Sequence, residues 1–483
     1  MAQADPGAAA PPETSTPNPA APRFLLWLVA VGFFMQTLDS TIVNTALPAM
    51  AVSLHESPLR MQSVVVAYSL TMATLIPATG WLADRFGTQR IFLLAIVLFT
   101  LGSAACAASV SLTQLSAARV LQGLGGAMLL PVGRLAVLRH FPRERFLEAM
   151  SFVAIPGLVG PLIGPTLGGW LVEWLSWHWI FLINLPVGVL GALATLRFMP
   201  NLRSPQRSGF DFSGYLMLMV AMLAISLSLD GMGGLGFQHA TVVVLLLLGL
   251  AALVMYWLYA LRTPAPLFSP RLFETESFRV GLLGNLFTRI GSGAMPYMIP
   301  LQMQLNMGYS PAQAGMLMLP MALAGMGMKR VVTQVILHFG YRRTLIGNTV
   351  LLGAVIATFA LMTREEPLWL RILQMALFGA VNSMQFTAMN TVTLRDLDAA
   401  RASSGNSMLS MVQMLGMSLG VTCGAALLGA FTQWLGTQGA AHSLGAFRAS
   451  FVAIGAITMA SAGIFWQLVA ADAVPANNEK AQP

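Results

Sequence analysis

Fourteen separate apolar runs, each of about 18–28 residues, decide what this chain can fold into. They lie at approximately 24–48, 62–82, 92–112, 114–138, 147–171, 178–199, 213–230, 240–261, 278–303, 311–335, 344–363, 368–392, 404–432 and 447–470. A helix of that length rises ~1.5 Å per residue and crosses the ~30 Å hydrocarbon core of a bilayer. Composition agrees. The 483 residues are 56% hydrophobic and 9% charged, whereas soluble domains carry about a quarter charged residues. The expected fold class is an all-α polytopic membrane protein whose first partner is the lipid bilayer.

The net charge of +8 suggests nucleic acid until the arginines are located. Sixteen fall in the even-numbered loops, from Arg85 and Arg90 through Arg395 and Arg401. Three, Arg60, Arg364 and Arg448, fall in the odd-numbered ones. Loops rich in Lys and Arg stay on the cytoplasmic side, so both termini are expected to be cytoplasmic and no nucleic-acid partner is needed. Residues 1–23, rich in Ala and Pro, read as a disordered cytoplasmic tail, and residues 471–483 as a second cytoplasmic tail.

Neither lysine, Lys329 or Lys480, is followed by Ser or Thr, so the chain has no P-loop and no ATP-driven step of its own. There is no HExxH, and the six histidines are scattered. Cys106 and Cys423 both lie in apolar runs, without metal-ligand spacing. No metal and no cofactor is expected, and no enzyme activity. The single nucleophile-elbow match, Gly416-Met-Ser-Leu-Gly420, has no strand before it and reads as small-residue helix packing.

The chain repeats itself with a shift of about 252 residues, the signature of duplicated helical units. Arg119-Val-Leu-Gln122 returns as Arg371-Ile-Leu-Gln374, Gly164-Pro-Thr-Leu-Gly168 as Gly416-Met-Ser-Leu-Gly420, and Pro48 as Pro300. Phe86-Gly87-Thr-Gln-Arg90 returns as Phe339-Gly340-Tyr-Arg-Arg343 with one extra residue. Stretches 1–6 thus correspond to stretches 9–14. The expected domains are a first six-helix bundle over 24–199, a linker with two extra helices over 200–277, and a second bundle over 278–470. Two parallel halves flanking a central site is the plan of rocking secondary transporters.

Four motifs lie in order on these stretches: Leu38-Asp39-Ser-Thr41-Ile-Val-Asn44, Gly80-Trp-Leu-Ala-Asp84-Arg85-Phe-Gly87-Thr-Gln-Arg90, Arg119-Val-Leu-Gln122-Gly123, and Gly160-Pro-Leu-Ile-Gly164-Pro165-Thr-Leu-Gly168-Gly169. From Phe24 to about Trp466 the chain resembles the major facilitator superfamily, specifically its fourteen-helix drug:proton antiporters. That resemblance implies alternating access between two six-helix halves, with a proton gradient as energy source. It also implies multidrug efflux of a small-molecule substrate across the bacterial inner membrane. The two-half repeat makes a monomer the default; an accessory periplasmic partner is left open.

Asp39 is the one acid placed deep in the bilayer. A mid-membrane carboxylate costs ~2.5–3.5 kcal/mol and is usually functional. Burial disfavours its charged form, which suits a group that takes and gives protons. Gln36, Ser40 and Asn44 extend it into a polar stripe expected to face a cavity. Arg119, flanked by Gly123 and Gly126, can reach a partner rather than lipid, and the resemblance ties it to proton transfer. Asp84 can accept from a helix start in the opposite half; the resemblance makes Gly80, Asp84, Arg85, Gly87 and Arg90 a conformational latch. It makes Gly160, Gly164, Pro165, Gly168 and Gly169 the antiporter motif. Arg289 lies mid-helix, placed either to bind an anion or to pair with Asp39. Gln122, Asn382, Ser383, Gln385 and Asn390 are further cavity candidates. Arg289 and Arg119 beside a single deep acid raise a metabolite or organic-anion exporter as the alternative to drug efflux. A membrane sensor or scaffold derived from a transporter is the other.

Overall fold

The computed structural model describes residues 21–141, 143–203, 209–233, 239–397, 399–435 and 444–468. Residues 1–20 and 471–483, read above as tails, lie outside the described residues. The helices are α1 (Ala21–Ser53), α2 (Gln62–Phe86), α3 (Thr88–Ala107), α4 (Leu112–His140), α5 (Arg143–Trp174), α6 (Trp179–Leu182) and α7 (Asn184–Phe198). They continue with α8 (Phe212–Gly233), α9 (His239–Arg262), α10 (Glu276–Leu305), α11 (Pro311–Leu317), α12 (Leu319–Thr358), α13 (Leu368–Arg395), α14 (Ala399–Trp434) and α15 (Leu444–Ala460). Each apolar run falls on one of them or on a consecutive pair, the eleventh and fourteenth continuing into short 3-10 segments at Phe359–Leu361 and Ser461–Gln467. Among the described residues nine helical spans are long and apolar enough to cross a membrane, and α8 adds a shorter one over 212–228. The runs on α10 and α13 are less apolar because they carry Asn285, Arg289, Gln302, Arg371, Asn382 and Gln385.

Local chemistry explains where helices stop. The third run was expected to reach residue 112, but α3 ends at Ala107. Ser111 then caps α4 by accepting from the Gln114 N–H at 3.3 Å, which satisfies an otherwise orphaned donor. α2 breaks at Gly87 (φ 98°) and α12 bends at Gly340 (φ 75°). Both are left-handed positions that only glycine adopts readily, and they are repeat partners.

Within the first half α1 lies along α5, and α4 is packed by α2 and α3, with α7 outside α3. In the second, α10 lies along α14, and α12 packs on α13 and α15. The halves meet where α5 contacts α11 and where α2 contacts α14. Near the arginine-poor end they share one hydrophobic core, with Ile42, Ala46 and Leu47 joined to Ala294, Met298 and Leu301. Toward the arginine-rich end each half has its own, around Phe92 and Val132 in one and Val280 and Val392 in the other. The hairpin α8–α9 sits at the side, packed through Leu218 and Tyr256 against Leu70 of α2 and Met411 of α14. Exposed tryptophans mark both ends: Trp27, Trp257 and Trp466 at one, Trp174, Trp179, Trp369 and Trp434 at the other. Such aromatic belts sit at membrane–water interfaces.

Candidate functional site: a buried ion pair joining α1 and α4

Asp39 and Arg119 face each other across the α1–α4 contact, with Arg119 Nη1 donating to Asp39 Oδ2 at 2.6 Å. Their side chains are 0% and 1% exposed. The other carboxylate oxygen, Oδ1, accepts from Gln122 Nε2 at 2.8 Å and from Asn184 Nδ2 at 3.3 Å. Both amides also donate to Ser103 Oγ, each at 2.9 Å. The carboxylate of α1 is therefore held directly by α4 and α7, with Ser103 of α3 bracing the two amides. Close approach makes this possible. A Cβ on Gly102 of α3 would lie 2.5 Å from the Gln122 backbone, and one on Gly125 would lie 2.4 Å from Phe99 N.

Arg119 is anchored independently of Asp39. Its Nε donates to Val64 O at 3.2 Å, its Nη1 to Gln122 Oε1 at 2.7 Å, and its guanidinium lies 4.1 Å over the Tyr68 ring. Two α2 residues and one on its own helix hold it in addition to Asp39. The polar stripe expected beside Asp39 takes no part in its hydrogen-bond cluster. Ser40 donates to Thr37 O, and Gln36 Oε1 and Asn44 Oδ1 are buried without partners. Gln122, expected in a cavity, belongs to the ion-pair cluster instead. Ser103, Asn184 and Tyr68 were not singled out as site residues; a lone polar side chain inside an apolar run was their only sequence signal.

The antiporter-motif glycines of α5 are the surface on which α1 rests. A Cβ on Gly160 would meet Thr37 Oγ1 at 2.4 Å, one on Gly164 Thr41 Oγ1 at 2.2 Å, and one on Gly168 Ile42 O at 2.6 Å. On the far side of α5, Gly169 abuts Pro311 O of α11, and Gly315 abuts Pro165 O. Four hydrogen bonds cross between the halves here. Thr166 Oγ1 donates to Gly315 O (3.2 Å), Ala312 N to Glu173 Oε2 (3.2 Å), Gln304 Nε2 to Thr45 O (3.0 Å) and Tyr297 OH to Pro58 O (3.3 Å). This arginine-poor end is closed.

The remaining candidates sort themselves. Asp84 forms an ion pair with Arg139 of α4, in its own half, not with a helix start in the opposite one. Arg139 also reaches Leu202 O, and Gly87 faces the Asn201 side chain. Arg85 stacks on Trp81 at 5.4 Å, Arg90 is exposed, and a Cβ on Gly80 would meet nothing. Gln385 is buried and bonds Asn348 (2.7 Å) and Thr349 (2.6 Å) of α12. Ser383 donates to Gly325 O, and Asn390 accepts from Gln413. Asn382 stays half-buried. Arg371, the repeat partner of Arg119, closes a loop by donating to Thr363, Arg364 and Glu366 carbonyls. Arg289 does not pair with Asp39, whose oxygens are taken; its Nε donates to Asn285 Oδ1 at 3.4 Å.

The sequence pattern of the Major Facilitator Superfamily matches residues 29–421. The chain belongs to this superfamily. It is 53% identical over 416 residues to the "Putative multidrug resistance protein MdtD" of Pectobacterium atrosepticum, covering 86% of this chain and 89% of that protein. The protein of the same name in Yersinia enterocolitica is 50% identical over 454 residues, covering 93% and 96%. Among solved structures, a POT family transporter in complex with 5-aminolevulinic acid superposes with a TM-score of 0.68 at 16% identity, over 92% of this chain and 96% of that one. An inward-facing bacterial homologue of the human lysosomal transporter Spinster gives 0.65 at 17%, over 93% and 97%. At such identities the likeness is one of fold. The chain is thus a polytopic membrane transporter of the major facilitator fold, with bacterial relatives.

Proposed function

We propose that this transporter is a proton-coupled exporter in which Asp39 carries the proton and the arginine-rich end faces the cytoplasm. The observation that carries the reading is the fully buried Asp39–Arg119 pair. Arg119 has Val64 O, Gln122 and Tyr68 as partners besides Asp39, so protonation loosens α1 from α4 and from Asn184 of α7 while Arg119 stays anchored. α1 is seated on Gly160, Gly164 and Gly168 of α5, and α5 carries Thr166, Gly169 and Glu173 into the closed end. A change in charge at Asp39 is therefore felt at the seal through two tightly packed helices. The ion-paired, sealed arrangement is the state that loads substrate from the cytoplasm. When the outer end opens, a proton from outside reaches Asp39, weakens the pair, holds the unsealed state and lets substrate leave. Return of one charge inward is worth ~2.3 kcal/mol per 100 mV, which drives the reset.

The protein acts here as one chain, without ATP and without a cofactor. Its test is intraliposomal pH in proteoliposomes holding the purified protein, on addition of drug-like cations, organic anions and amino acids. Wild type is expected to move protons in response to one class, and Asp39→Asn to none. Proton-driven net export by Asp39→Asn would refute the reading.

A further inference from the structure

Arg289 is the second deeply placed cation of the molecule, and the mechanism above does not use it. It lies 13 residues beyond the first residue of α10, ~20 Å along the helix, well below any headgroup. It is 7% exposed, and its Nη2 is buried with no acceptor. The guanidinium lies 4.6 Å over the ring of Phe386 of α13, and Phe386 is itself exposed. Gly416 of α14 leaves room for the side chain, since a Cβ there would come within 3.0 Å of Arg289 Cβ. Asn285 takes only Nε. No carboxylate among the described residues pairs with it. Asp39, the deep acid, has one oxygen on Arg119 and the other on Gln122 and Asn184.

A buried guanidinium is disfavoured unless it is paired, and here one donor and one aromatic face are left for a partner that the protein does not supply. We infer that Arg289, with Phe386 and Asn285, forms the binding site for the oxyanion group of a small planar organic solute, and that the exported substrate is an organic anion. An oxyanion would accept from Nη2 in a charge-assisted hydrogen bond, while its planar body would lie against Phe386. A cation would meet an uncompensated positive charge and, among the described residues, no free deep carboxylate. This assignment rests on the exporter reading only for the direction of transport; binding itself does not depend on it.

Three probes of one shape and fixed charge decide the matter: benzenesulfonate, benzenesulfonamide and phenyltrimethylammonium. Binding to the purified full chain is followed by the shift in thermal midpoint across a concentration series, with no gradient present. The sulfonate is expected to stabilise wild type most. Arg289→Gln should lose at least tenfold in sulfonate affinity, and Arg289→Lys should retain most of it. Equal binding of sulfonate and sulfonamide by wild type would overturn the assignment without any variant. So would sulfonate affinity unchanged in Arg289→Gln. If the sulfonate binds but moves no protons in proteoliposomes, the anion site stands and the proton reading falls. If only the ammonium binds and moves protons, the anion site falls and the proton reading stands.

Discussion

At the scale of single residues, the cost of separating Asp39 from Arg119 dominates. Removing one partner of a buried ion pair leaves an uncompensated charge and typically costs about 3–5 kcal/mol. Arg119→Ala should therefore lower the thermal midpoint sharply. Adding Asp39→Asn should recover much of that loss, because an amide needs no counter-charge. A double-mutant cycle in detergent measures the coupling; additive losses would mean that the two side chains do not act as a pair. Asp39 and Arg119 were both legible in the sequence, since a charge inside an apolar run cannot be incidental. Their pairing was not, because 80 residues separate them and nothing local says which face of α1 meets α4. The stripe of Gln36, Ser40 and Asn44 pointed to neighbours on α1 itself, whereas the partners of Asp39 come from α4 and α7. Ser103 and Asn184 had no charge to make them conspicuous.

The helix α5 sets the next scale. Its glycines are spaced every fourth residue, so they line one face, and α1 lies on that face without Cβ atoms between. Gly164→Ala places a methyl within 2.2 Å of Thr41 Oγ1. Overpacking of this kind costs about 1–3 kcal/mol, and transport should fall with it. Thr41→Ala removes the obstructing hydroxyl, so the double variant should transport better than Gly164→Ala alone, as initial rates of substrate-driven proton movement would reveal. The small-residue pattern was visible in the sequence; its partner helix was not. The same holds for Gly87 and Gly340. Their repeat predicted equivalent positions, and the positive φ angles gave the reason. Asp84 differs, because the arginine it pairs with, Arg139, is supplied by the far end of α4, where the sequence showed only one basic loop residue among several.

For the whole molecule, the repeat and the fourteen apolar runs were enough to anticipate two bundles of the major facilitator fold. They could not say which end is closed, since that depends on contacts between halves hundreds of residues apart. The structure is closed where Thr166, Gly169 and Glu173 of α5 meet α11. Tethering this end should arrest the cycle: a short thiol crosslinker between Glu173→Cys and Ala312→Cys is expected to abolish proton movement, with recovery on cleavage. Undiminished transport by the crosslinked protein would place the moving parts elsewhere.

The central claim is that the charge of Asp39 controls this seal through α1 and α5. The most direct measurement is the reactivity of Thr166→Cys toward a membrane-impermeant maleimide applied from outside, with Cys106 and Cys423 replaced by serine. Asp39→Asn stands in for the protonated acid. Labelling in that background is predicted to be several-fold faster than with Asp39 present. Equal rates would contradict the account, because the proton site and the seal would then be independent.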